Sequence, residues 1–547
     1  MFPWVFALGL TPVVLGWGGG HDPLNEWAVS MFPEPVLAAV PETARAGIVR
    51  FSHAPDDFTP WEKQTKTTIH PDDLAWLEAH GLKHPYALHS PRGQAVNFIL
   101  LVRAFEAESP ERIAYWSACL LHTFADEAAC NHDPILHVVT YAFREGYGLD
   151  MGKSGVLDFV QVSKSAADRE AIRAMLVDSA PAPLAEDPQE VLVRIMLHGL
   201  TANEYMTQRG ARIARTFARS VSAAEVADGR RALAELGVHA VRTGVDAIAT
   251  AHGLASRGTI PEFTPAVERE YERRSQEFLA RRPLASDAVF EGLLEPFGDG
   301  PAVGVLVEPS RSMNQAHLGF GSKLLSAALT RSLRGAGVSC RLVDIREPDF
   351  PSPERMPVAV VCAGGFQHPP TVERLRRYAG QGGRILLVGG EHRGVLGELS
   401  ECLGRPADAR LPVTPKYGQN NADYIADLRV HFTGGLEDSL GAEPYAFLRN
   451  PDTKAGWQKP RCDYVLTGEN PHVQVLARLR DGEREQDIAG MLTNPQGQTI
   501  CAFLPEYLLA PYLLTDSPPL DDPSRLELDS VGRAVLLHTL GRMLPRP

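Results

Sequence analysis

The stretch Ile113 to Ala129 holds Ala, Leu, Trp and Phe and neither Gly nor Pro, a pattern that predicts a helix. Apolar residues three or four apart continue that signal from Ala166 to about Arg282. After a break at Ala180-Pro181-Ala182-Pro183 they predict helices over Glu190 to Val221, Ala223 to His252 and Val267 to Arg281. A Pro- and Gly-bearing connector, Pro283 to Pro301, follows, and beyond it the period changes. Val303 to Val307, Ser339 to Ile345, Val358 to Cys362 and Arg384 to Val388 are short apolar runs, separated by helix-like segments such as Lys323 to Ala336 and Thr371 to Gln381. That alternation predicts a parallel sheet flanked by helices. From Pro412 onward, strand-like alternation around Tyr464–Leu466, Val473–Leu479 and Thr499–Leu504 leads to an amphipathic helix, Asp529 to Leu544. The expected architecture is multidomain: an all-α domain over 17–285, a linker over 286–300 and an α/β domain of flavodoxin-like, parallel-sheet type over 301–547.

At 547 residues, with 44% hydrophobic and 22% charged, the chain is long enough for two or three cores. A net charge of −13 argues against a protein that grips nucleic acid through a broad basic surface, though a nuclease working through metals escapes that objection. The seven cysteines are scattered and form no CxxC pair, so they suggest neither a disulfide framework nor a thiolate zinc site. Residues 1–16 form an apolar run too short to span a bilayer. It resembles the core of a signal peptide, but the first Lys or Arg is Arg45, so either the start is misassigned or this is a weak export signal. The corresponding expectation is a secreted or periplasmic protein with no stable membrane span.

The chemistry concentrates in Leu121-His122-Thr123-Phe124-Ala125-Asp126-Glu127-Ala128-Ala129-Cys130-Asn131-His132. A helix puts His122 and Asp126 on one face, and His132 returns past Asn131 from another direction. Mixed imidazole and carboxylate donors suit zinc better than calcium or magnesium. The alternative is a helix whose polar residues face water. If cleavage follows Gly16, the chain begins Trp17-Gly18-Gly19-Gly20-His21; the freed amine and carbonyl of Trp17 would form a chelate, with the His21 imidazole close behind.

Trp17, His21, His122, Asp126 and His132, in this order and spacing, resemble the zinc-dependent phospholipase C family and the related single-strand-specific, fungal-type nucleases. The resemblance covers residues 17 to about 210. It implies an all-α fold holding up to three zinc ions, with an Asp and a His between the N-terminal ligands and the central helix. Asp56 fits the first, with Asp57 its neighbouring alternative, and His89 fits the second. By resemblance, Asp56, His89, His122 and Asp126 hold one ion, Asp126 bridges to a second bound by Trp17 and His21, and His132 and His198 hold a third. The family's last acidic ligand stands four residues after its His, but here that position is Ala202; Glu204 is the nearest acid and sits on another face of a regular helix. The implied activity is phosphodiester hydrolysis of the phospholipase C type. The zinc ions lower the pKa of a bound water to roughly 7 to give a metal-bound hydroxide, with Asp56 and Asp126 as catalytic carboxylates.

The implied substrate is a phospholipid or, alternatively, single-stranded nucleic acid. Tyr86, Trp61, Trp116, Phe58 and Tyr147 are aromatics that could serve either. A third reading is a non-catalytic binding protein with a degenerate metal site, supported by Ala202. The C-terminal half resembles the class I glutamine-amidotransferase-like fold, but the turn that carries the family's nucleophile reads Gly389-Gly390-Glu391-His392 and contains no Cys. The resemblance therefore implies a binding or accessory domain whose partner is unknown.

Overall fold

In a computed structural model of the chain, the residues described are 20–57, 59–63, 69–129, 166–177, 181–216, 221–281, 290, 292–294, 300–307, 321–345, 348–362, 369–388, 405–406, 428–441, 445–446, 464–466, 470–481, 484–509, 527–528 and 530–545. They divide into two compact units, a helical one reaching to Arg281 and a sheet-bearing one beginning at Phe290. Residues 1–16, with their signal-like run, lie outside the described residues. Among those described, no helix is long and apolar enough to cross a membrane.

The helical unit opens with α1 (His21–Ser30), α2 (Glu34–Ala39) and α3 (Glu42–Arg50), then α4 (Pro71–Ala79), α5 (Pro91–Glu106) and α6 (Pro110–Glu127). It continues with α7 (Ala166–Val177), α8 (Pro188–Arg215), α9 (Ala223–Ser256) and α10 (Pro265–Arg281). Proline opens α4, α5, α6, α8 and α10, where its missing N–H costs no hydrogen bond. Ser222 and Glu225 close a capping box at the start of α9. Helices α5 and α6 form the core. Between Gly93 and Phe105 only Arg103 is not buried, and every residue from Ile113 to Glu127 is buried. A helix enclosed on all sides has no wet face, so the alternative that His122 and Asp126 look into water does not hold.

Local contacts set the entry angles around this core. The buried Asp73 carboxylate accepts from Arg112, which also pairs with it in charge, and from Trp116 Nε1 at 2.9 Å, fixing α4 against α6. Asn25 Nδ2 donates to the Ile48 carbonyl at 3.0 Å, tying α1 to α3. At the head of α5, a Cβ on Gly93 would come within 2.2 Å of the Ala87 carbonyl oxygen, so glycine lets the 3-10 turn Pro85–His89 lie directly on the helix. Ser90 caps that helix by accepting from Gly93 N at 3.0 Å.

The second unit is built on strands β1 (Val303–Val307), β2 (Cys340–Asp344), β3 (Val358–Cys362), β4 (Arg384–Val388), β5 (Arg405–Pro406), β6 (Leu428–Phe432), β7 (Tyr445–Ala446), β8 (Tyr464–Val465), β9 (Val473–Asp481), β10 (Arg484–Thr493) and β11 (Thr499–Leu504). Helices α11 (Gly321–Gly335), α12 (Pro369–Gly380), α13 (Glu437–Leu440), α14 (Glu506–Leu509) and α15 (Ser530–Met543) accompany them. The main sheet runs β2-β1-β3-β4-β11-β10-β9-β6-β7, and β5 pairs separately with β8. The first five strands are parallel; every pairing from β11 outward is antiparallel. The sheet is thus mixed, which corrects the expectation of a parallel one. Two residues separate β9 from β10, and the turn Asn494–Gly497, with Gly497 at φ +76°, separates β10 from β11. Links that short can only make hairpins, whereas the parallel strands are joined through crossovers. All residues of β1 and β3 are buried, as expected of strands covered on both faces.

Candidate metal centre

Three segments carry the donors toward one point. Helix α6 supplies His122 and Asp126 one turn apart, the 3-10 turn Pro85–His89 supplies His89, and the 3-10 turn Ala54–Asp56 supplies Asp56. The rings are aimed from behind. His122 Nδ1 donates to the Ser52 carbonyl at 2.6 Å and His89 Nδ1 to the Tyr86 carbonyl at 3.0 Å. A carbonyl oxygen only accepts, so in each ring Nδ1 carries the proton and Nε2 is left to face inward.

Those inward atoms crowd one another. His89 Nε2 and His122 Nε2 stand 3.2 Å apart. Asp126 Oδ2 lies 3.1 Å from His89 Nε2 and 3.6 Å from His122 Nε2. Asp56 Oδ1 lies 3.3 Å from His122 Nε2 and 3.7 Å from His89 Nε2. Ligand atoms of the four residues all fall within 4.8 Å of one another, so together they could hold a metal ion. His21, from the first turn of α1, stacks on His122 with centroids 3.9 Å apart and brings Nε2 to 3.1 Å from Asp126 Oδ1. Although close, that last pair is not aligned for hydrogen bonding. Both His21 ring nitrogens, Asp56 Oδ1 and Asp126 Oδ1 are buried without a hydrogen-bond partner.

Leaving so many polar atoms unsatisfied costs on the order of 1–3 kcal/mol each, which a cation among them would offset. Without one, a proton has to serve. Burial alone would lower the His122 pKa, but the facing Asp56 and Asp126 carboxylates outweigh it and push it up to about 10. Burial would raise Asp126, yet the His122 charge holds it well below the usual carboxylate range. His21 goes the other way: burial and the neighbouring His122 lower it to about 4, so it is a neutral imidazole at pH 7. An imidazole lone pair and an ionised carboxylate are the forms a metal requires.

Trp17 and His132 lie outside the described residues, as do Phe58 and Tyr147. His198 is in the core but apart from the cluster: its ring stacks on Phe124 at 3.9 Å, and its Nε2 lies 3.9 Å from Glu127 Oε2. Among the described residues, Glu204 forms no ion pair or hydrogen bond with His198. Trp61 and Trp116 are buried, 5% and 1% exposed, and present no surface for a substrate; Tyr86 is only part-buried and packs on His89 at 4.7 Å. His53 is exposed to solvent, and its ring also packs edge-on against His21 at 5.4 Å and pairs with Asp22 at 3.5 Å.

Glu127 was not singled out by the sequence reading. It follows Asp126 directly but points elsewhere from the helix, and its Oε1 accepts from Gln94 Nε2 at 2.6 Å. The available signal was the apolar surroundings: a second acid in a helix buried all round needs a partner. No protein-family model, curated protein or solved structure matches this chain.

Proposed function

We propose that the helical unit is a zinc-dependent phosphoric diester hydrolase of the phospholipase C type, with His21, Asp56, His89, His122 and Asp126 as its metal centre. The observation that carries this reading is the set of buried nitrogen and oxygen lone pairs converging between α1, α6 and the two 3-10 turns, with four of the atoms lacking a hydrogen-bond partner. Imidazole and carboxylate donors with no thiolate suit zinc in a hydrolytic site. Bound there, zinc supplies Lewis-acid activation of water and of the phosphate ester. The resemblance adds the Trp17 amine, His132 and His198 as further ligands, with Glu204 the acid that follows His198 most closely along the chain.

The residues have distinct tasks in this scheme. Asp126 turns Oδ2 toward His89 and His122 and Oδ1 toward His21, so one carboxylate serves two neighbouring positions. Asp56 sits on a short turn, nearly buried, with its carboxylate beside the cluster, and takes the proton of the attacking water. Tyr86, part-buried against His89, borders the place where substrate enters. A net charge of −13 favours a lipid headgroup over a polyanionic strand. The order β2-β1-β3-β4-β11 of the parallel strands supports a flavodoxin-like reading of that part of the sheet, and we read the second unit as an accessory binding domain. Residues 1–16 support export.

The test is hydrolysis of phosphatidylcholine and of single-stranded DNA by protein beginning at Trp17, with and without chelator. Chelator-sensitive release of diacylglycerol is expected. Cleavage of DNA alone would move the substrate to nucleic acid. Zinc-independent turnover, or none of either substrate by zinc-loaded protein, would overturn the reading.

A further inference from the structure

Behind the first cluster, a second set of lone pairs meets across α6 and α8. Glu127 is buried, 8% exposed, and Gln94 occupies one of its oxygens, leaving Oε2 with no partner. The Gln94 amide oxygen is likewise buried without a donor. Facing Glu127 from α8 is His198, whose Nε2 lies 3.9 Å from Glu127 Oε2 and 3.4 Å from the Phe124 carbonyl oxygen. A proton on that nitrogen would satisfy the Phe124 carbonyl but leave the carboxylate oxygen unmet. One divalent cation would satisfy Glu127 Oε2, His198 Nε2 and the Phe124 carbonyl oxygen together.

The helix opposite makes room for the acid. Gly199 follows His198 in the middle of α8, where alanine would favour the helix by about 1 kcal/mol. A Cβ there would stand 2.6 Å from Glu127 Oε1 and 2.9 Å from its carboxyl carbon. Glycine at this position keeps the Glu127 carboxylate turned toward His198.

We infer that Glu127, His198 and the Phe124 carbonyl form a second divalent-cation site, distinct from the cluster around His122, in which Glu127 and not Glu204 is the acidic partner of His198. The inference extends the metal-centre reading above, and its test separates the two. Full-length protein is stripped with chelator, reloaded with zinc, dialysed, and its zinc counted by elemental analysis for wild type, Glu127→Gln, His198→Gln and His122→Ala. Glutamine at 127 keeps the shape and the acceptor for Gln94, so the fold is retained, and His198→Gln removes the imidazole independently. Each of the two is expected to hold one zinc fewer than wild type while still losing more when His122→Ala is added. Gly199→Ala is expected to weaken the same zinc by roughly tenfold. Wild-type zinc content in Glu127→Gln and His198→Gln would overturn the second site and leave the first standing. Unchanged content in His122→Ala alone would overturn the first and leave the second.

Discussion

Ser52 works at both ends: its carbonyl fixes the His122 ring, and its hydroxyl donates to Asp22, the neighbour of His21. It therefore couples the two helices that face the cluster. Asp22→Asn, which weakens that anchor without touching a donor atom, is expected to lower zinc affinity roughly tenfold, as outer-shell changes do. Competition with a chromophoric chelator measures this, and unchanged affinity would show that the Asp22–Ser52 contact is incidental. The protonation states make a second expectation. In metal-free protein His122 keeps its proton up to about pH 10, so at pH 7 a zinc ion must displace it. Zinc uptake in weakly buffered solution should release protons, and affinity should rise with pH between 7 and 10. Uptake without proton release would contradict the geometry. His122 and Asp126 were legible in the sequence because a helix repeats every 3.6 residues; the roles of Ser52 and Glu127 were not, because they depend on which segments meet in space.

At the scale of elements, placement of His89 depends on the turn Pro85–His89 resting on the head of α5. Gly93→Ala would drive a methyl group into the Ala87 carbonyl and displace that turn. A loss of about 1–3 kcal/mol in stability is expected, together with weaker zinc binding. Full retention of both would show that the turn is not held there. Helices α8 and α10 are joined by Arg274, which meets Glu190 at 2.6 and 2.8 Å and Glu270 at 2.7 Å. Hydrogen bonding from Arg274 holds Glu190 below its ordinary value of 4.5. A depressed carboxylate contributes stability above its unfolded pKa and loses it as pH falls through the folded one. The helical unit should therefore weaken below about pH 4.5, and less steeply in Arg274→Ala, which itself costs ~1 kcal/mol for a pair that is only half-buried. Denaturant titrations at pH 7 and pH 4 check both. Helix spacing and the buried runs of β1, β3 and β4 were legible in the sequence. The direction of the later strands was not, because it is set by link length and pairing and not by apolar period.

On the scale of the whole molecule, two compact units imply two unfolding transitions, for which a single stability value has no meaning. A ligand stabilises only the unit that binds it, by about 4 kcal/mol at a thousandfold excess over Kd. Calorimetry with and without chelator should move the transition of the helical unit and leave the other in place; movement of both or neither would contradict a metal centre confined to α1, α6 and their turns. The most direct measurement of the central claim is a zinc-edge anomalous difference map from crystals of the zinc-loaded chain. The account expects a peak among His21, Asp56, His89, His122 and Asp126, with nitrogen and oxygen ligands at roughly 2.0–2.2 Å. Zinc-loaded crystals with no peak there would contradict it.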